Sequence, residues 1–132
     1  MIAQDPSRPK LYTLEFEKRP EYLYAFVKGE KDSYEISRQY WSEVANECRR
    51  ANRQKVLIEE DIDDEMSMTE MYRFTSEIME IGFSGIRVAF VERHLSQREL
   101  NKFGALVATN RGFFGKVCSD AKTAEEWLLS VV

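Results

Sequence analysis

Residues 59–70 read EEDIDDEMSMTE, which sets six carboxylates into seven positions (Glu59, Glu60, Asp61, Asp63, Asp64 and Glu65) ahead of Met66, Ser67, Met68 and Thr69. Carboxylate oxygens suit hard cations such as calcium and magnesium. The spacing Asp61-x-Asp63-x-Glu65 imitates the start of a calcium loop, but Met66 stands at its glycine position and Tyr72 at its bidentate glutamate position. No metal or other cofactor is therefore expected. A simpler electrostatic role fits: carboxylates just before a helix N-terminus are favoured by its dipole, each by on the order of a few tenths of a kcal/mol.

Ser67 follows that run, at the expected carboxyl end of a parallel strand and the start of a helix. In open α/β sheets that edge is where ligands and partners bind. Phosphorylation there would add roughly −1.5 to −2 charges, welcomed by the helix dipole and opposed by the neighbouring acids, which is the physics of a charge switch. The sole histidine, His94, sits beside Arg93 in a second expected loop, 92–96. It has the chemistry of a general base, but no serine or cysteine is paired with it by motif. The glycines of FGALVATNRGFFGK lack phosphate-loop spacing. No catalytic residue is assigned and no enzyme is expected. Asp61, Asp63, Asp64, Met66, Ser67 and Met68, with Arg93 and His94, form the expected partner-binding surface. Methionine is flexible and suits adaptable apolar surfaces, so Met66, Met71, Phe74, Phe83 and Phe103 form a candidate pocket for an apolar ligand. Met68, Met71 and Met79 also fall on one helical stripe, where ordinary core packing accounts for them.

These residues need elements to hold them. LYTLEFE (11–17) and YLYAFVKG (22–29) read as strands around a turn at Pro20, a hairpin. Helical periodicity runs through 31–51 with Ile36, Tyr40, Trp41, Val44 and Cys48 inward. KVLIEE (55–60) is a short strand, and 67–82 a helix ending on Gly82. The apolar run 85–92 is a strand covered on both faces, 96–110 a helix, 113–119 a fifth strand and 123–132 a last helix. Each helix start shows a capping residue with glutamate three positions on: Asp32 and Glu35, Ser67 and Glu70, Ser96 and Glu99, Thr123 and Glu126. The order β-β-α-β-α-β-α-β-α predicts a two-layer α/β sandwich, a five-stranded mixed sheet with four helices.

The whole is 132 residues, 43% hydrophobic and 32% charged, so one domain over 11–132 after a flexible lead-in at 1–10 is expected. The net charge of −4 weighs against nucleic acid as partner. The basic run RRANRQK (49–55) follows a helix, where cations suit the dipole. Cys48 and Cys118 sit among apolar neighbours and read as two buried thiols. No leader peptide is evident, and no apolar run nears the roughly 20 residues of a membrane span. A soluble, cytoplasmic protein is expected, with a homodimer through exposed strand edges a reasonable assembly.

The element order and the segment KVLIEEDIDDEMSMTEMYRF resemble the STAS domain of sulfate transporters and anti-sigma-factor antagonists. GIRVAFVERH and ATNRGFFGKVCSDAKTAEEWL resemble, more closely, small bacterial STAS/SEC14-like proteins. The resemblance implies a non-enzymatic regulatory module with a protein partner, in which Ser67 takes the place of the serine that a partner kinase phosphorylates. The neighbours Met66, Met68 and Thr69 depart from the acid and small residues usual around that serine. The SEC14-like side of the resemblance implies the alternative, a carrier of a lipid or other hydrophobic small molecule, or a peripheral membrane binder.

Overall fold

The computed structural model describes residues 10–130, so the expected lead-in lies almost wholly outside the described residues. Five strands, β1 (Tyr12–Lys18), β2 (Leu23–Lys31), β3 (Lys55–Asp64), β4 (Arg87–Glu92) and β5 (Phe114–Cys118), form one sheet in chain order. β1 and β2 are the expected antiparallel hairpin, closed by Arg19 N–H donating to Tyr22 O at 3.0 Å. β2 to β5 are parallel. Among the described residues the α-helices are α1 (Tyr34–Arg50), α2 (Met68–Ser76), α3 (Ile78–Ile81), α4 (Arg98–Thr109) and α5 (Ala121–Leu129).

Because each parallel strand is laid beside the last, every right-handed crossover steps the same way and delivers its helix to the same face. Val56, Ile58 and Ile62 of β3 accordingly meet α1 to α4 in a core centred on Trp41, whose ring lies 5.4 Å from Phe83, 5.7 Å from Phe74 and 5.7 Å from Phe90. Leu57, Ala89 and Val91 point the other way and are covered by Ala124 and Leu128 of α5. β4 is buried at all six positions because both its faces are covered. Arg87 fastens α5, donating to Trp127 O at 2.6 Å and Ser130 O at 3.0 Å.

Three local expectations change. β3 does not stop at Glu60 but runs to Asp64, since β2 also lengthens and pairs Lys28 with Asp61, Gly29 with Ile62 and Lys31 with Asp64. Ile62, fully buried, anchors the overhang. Most of the acidic run is thus strand, and the loop is only 65–67. The helix expected over 67–82 breaks at Glu77, giving five helices instead of four. The Thr75 and Ser76 hydroxyls bond back to Met71 O at 2.6 Å and Tyr72 O at 2.7 Å, a pattern that bends helices. The Glu77 carboxylate is drawn to Tyr34 and Arg38. Gly82 does end α3, with φ at +118°.

Of the expected caps, Ser67 holds: its Oγ accepts from Glu70 N–H at 3.1 Å. The Glu70 carboxylate is not returned to Ser67 but accepts from Tyr34 N–H at 2.7 Å. Ser33, not Asp32, caps α1, and Asp120, not Thr123, caps α5. Ser96 lies inside a 3-10 turn, Leu95–Gln97, and α4 begins without a side-chain cap. Cys48 and Cys118 are free and buried, and burial pushes the Cys48 thiol up to about 12.

Candidate functional site

The carboxyl edge of the parallel strands carries most of the expected surface, divided between the two faces of the sheet. Side chains alternate along β3, so Glu59 and Asp61 emerge on the α5 side. There Arg93 Nε donates to Glu59 Oε2 at 2.7 Å, and Arg93 Nη1 lies 3.7 Å from Asp61 Oδ2. His94 Nε2 is 2.9 Å from Asp61 Oδ1 and 3.7 Å from Asp63 Oδ1. Asp61, Asp63 and His94 could offer a metal three ligand atoms, all within 4.8 Å of one another. Asp61 is already engaged by both His94 and Arg93.

Ser67 and Met68 lie past the end of β3, where the chain crosses to the helical face. Both are exposed, Met68 at 63%. Asp63 and Asp64 are exposed beside them in sequence. Met66 does not belong to this surface: it is 5% exposed and packs in the core, because the short three-residue connection from β3 to α2 turns it inward. Gln97, unnoticed in the sequence, ties the 92–97 loop to the acidic strand by donating to Ile62 O at 2.9 Å and Asp63 O at 3.0 Å.

Beneath this edge lie three buried carboxylates that sequence reasoning did not separate from the exposed acids: Asp32 (6% exposed), Glu60 (3%) and Glu92 (0%). The signal was the even register of Glu60 with Ile58 and Ile62, and the position of Glu92 at the end of an apolar strand. Glu60 and Glu92 are register partners on adjacent strands. The Tyr40 hydroxyl donates to Glu60 Oε2. Asn101 Nδ2 donates to Glu92 Oε1 at 2.7 Å, and His94 N–H to Glu92 Oε2 at 3.0 Å. Asp32 accepts from Ser37 Oγ at 2.7 Å and Ser33 N–H at 2.8 Å. No described lysine, arginine or histidine pairs with any of the three.

Two facing carboxylates withdrawn from water cannot both ionise. Burial, and then the charges of Asp32 and Glu92, hold Glu60 well above the usual carboxylate range. Glu92, its neighbour across the strands, has two N–H donors of its own. Burial likewise raises Asp32 to about 6, against the pull of its Ser37 and Ser33 donors.

A cavity of about 50 Å³ adjoins these groups, with Asp32, Tyr40 and Glu60 at its polar end and Trp41, Phe90 and Phe113 among its walls. Of the expected pocket residues, Met66, Met71 and Phe74 line it. Phe83 does not: it is 1% exposed and wedged between Trp41 and Phe113. Phe103 is also absent from the lining and flanks the core from α4.

No family model matches the chain, and no curated protein matches it. Solved structures do. An anti-sigma factor antagonist from Mycobacterium paratuberculosis superposes with a TM-score of 0.63 at 14% identity, over 94% of this chain and 99% of that one. A protein of the DUF3478 family from Shewanella loihica PV-4, described as having a SpoIIAA-like fold, gives 0.55 at 14% identity over 95% and 99%. The fold is SpoIIAA-like. This agrees with the STAS-like α/β architecture expected from the order of elements, and at such identity the likeness extends to the fold alone. Within this SpoIIAA-like frame Ser67 opens the helix after the central strand β3, and the buried carboxylates lie one layer below it. Among the described residues no helix is long and apolar enough to cross a membrane.

Proposed function

We propose that this chain is a non-enzymatic regulatory module that binds a protein partner at the carboxyl edge of its sheet, switched by phosphorylation of Ser67. The observation that carries the reading is the exposed Ser67 hydroxyl at the N-terminus of α2, followed by the exposed Met68 and preceded in the chain by the exposed Asp63 and Asp64. An apolar anchor surrounded by charge is the composition of a partner-binding patch, and the exposed carboxylates match a basic partner surface. The name of one solved neighbour, an anti-sigma factor antagonist, supports a protein as that partner. Arg93 and His94 contribute by holding Asp61 in place, on the far side of the strand end. A cytoplasmic setting, and a homodimer through the outer edge of β1, which among the described residues pairs only with β2, belong to the same reading. The alternative lipid carrier finds little room here, since about 50 Å³ is a third of the roughly 150 Å³ that admits benzene.

Mass spectrometry of the protein from its own cell should find phosphate on Ser67. In capture of the native partner, Ser67→Asp should change retention by about tenfold or more while Ser67→Ala binds as the parent does. An unmodified Ser67, with both variants capturing the partner equally, would defeat the proposal.

A further inference from the structure

Among the described residues the sheet has two outer strands, β1 and β5, and they are built differently. β5 has five residues, with Gly115 second and Lys116 at its centre. Shortness and a lysine are devices by which an edge resists pairing with other chains. β1 runs for seven residues, Tyr12–Lys18, without proline or glycine and with its lysine only at the end. It pairs with β2 in unbroken register. An edge of that kind is a template for a further strand.

The hairpin decides which backbone groups of β1 are free. Arg19 N–H donates to Tyr22 O, so these two form a hydrogen-bonded pair. Alternation along an antiparallel ladder then makes Glu17, Glu15 and Thr13 the residues that bond to β2. Tyr12, Leu14, Phe16 and Lys18 turn their N–H and C=O groups outward. On the helical side of the sheet the same register is apolar. Tyr12 belongs to the core, Leu14 packs against it, and Phe16 continues the row at 37% exposed. Thr13, Glu15 and Glu17 occupy the other face and are exposed.

Charge selects how a second copy fits this edge. Two-fold pairing of β1 with itself sets residues opposite one another on the same face. Centred on Glu15, it opposes Glu15 to its own copy; centred on Phe16, it opposes Glu15 to Glu17. Like charges directly opposite are destabilising. Centred on Thr13, only Tyr12 to Leu14 overlap within the strand. Centred on Leu14, it opposes Leu14 to Leu14, Tyr12 to Phe16 and Thr13 to Glu15, with no like charges facing within the strand. Beyond the strand Lys18 comes opposite Lys10, whose ammonium Glu43 already holds at 3.2 Å.

We propose that two copies of this chain join their sheets antiparallel through β1 with Leu14 on the two-fold axis, Tyr12, Leu14 and Phe16 of each copy exchanging backbone hydrogen bonds with those of the other. This rests on the homodimer included in the reading above and adds its register and its contact residues. The Phe16 ring of each copy lies beside Tyr12 of the other. Ser67 follows β3, two strands away in the sheet, and stays open.

Sedimentation equilibrium of the full chain over a concentration series should show reversible dimers. Phe16→Pro removes an N–H that β2 does not use, so β1 keeps its place in its own sheet. Phe16→Lys places a charge in the apolar row. Each should weaken association by at least about tenfold with an unchanged circular dichroism spectrum. The register is read by disulfide capture, since Cys48 and Cys118 are buried. Thr13 and Glu15 of opposite copies would form a pair without backbone bonds, where Cα atoms approach to about 4.5 Å, within reach of a disulfide. Mixed and oxidised, Thr13→Cys and Glu15→Cys chains should link to each other in excess of linking to themselves. A monomeric parent chain would overturn this proposal together with the homodimer. A dimer indifferent to both Phe16 variants, or Glu15→Cys chains linking chiefly to themselves, would overturn the proposal and leave a homodimer of another kind. If Phe16→Pro does not fold, Phe16→Lys and the disulfide pattern decide. None of these readouts involves Ser67, so failure of the partner switch leaves them intact.

Discussion

At the residue scale, Glu60 concentrates the unusual chemistry. Its protonated form is stabilised by folding, so the unfolded chain releases this proton at lower pH than the native protein does. The sign follows from proton counting. The stability Glu60 contributes is fully present below its unfolded value, near the ordinary carboxylate range, and is lost as pH rises through its higher folded value. Asp32, raised to about 6, adds a loss of the same sign between its ordinary value and about 6. Glu60→Gln keeps the neutral shape without the ionisation. Urea unfolding should therefore show the variant gaining on the parent as pH rises above the ordinary carboxylate range, by up to about 1.4 kcal/mol per pH unit for one proton. Tyr40→Phe makes the converse case. It strips Glu60 of its donor at a site 1% exposed, and should lower stability by about 1–3 kcal/mol in the same measurement.

At the scale of elements, the junction from β3 into α2 rests on two polar ties. Ser67 caps α2, so Ser67→Ala should cost about 1 kcal/mol, and Ser67→Asp, which keeps a cap acceptor, should cost less. Thermal melts of the two variants separate this cap effect from any effect on partner capture. The second tie is Gln97, 4% exposed, whose side-chain amide donates to the carbonyls of Ile62 and Asp63 from the 92–97 loop. Gln97→Ala should leave both carbonyls without that donor. Hydrogen exchange should then accelerate at 61–64 and 92–97 with little change in β1 or α1. Element types were legible in the sequence because hydrophobic period is local. The break at Glu77 was not, because it depends on which carbonyls the Thr75 and Ser76 hydroxyls choose and on Tyr34 and Arg38 from another helix.

At the scale of the whole molecule, the two faces of the sheet are unequally covered. Among the described residues four helices shield one side, whereas α5 alone closes the other over Leu57, Ala89 and Val91. Leu128 is its fully buried anchor. Leu128→Ala should lower global stability by about 2–5 kcal/mol, and exchange should quicken first in α5 and β5. A uniform increase over all strands would instead mean that the two faces unfold as one.

What the sequence determined by itself was the hairpin, the succession of strands and helices, the buried thiols and the cap at Ser67, all of which depend on residues within a few positions of one another. The tertiary structure alone decided which acids are surface and which are core. Asp61 and Glu60 are adjacent and chemically alike, but strand alternation sends one toward His94 and the other beneath α1, opposite Glu92. It also decided that Met66 packs inward while Met68 stays outside. Such outcomes turn on register with neighbouring strands and on what covers each face, and no single stretch of chain contains that information.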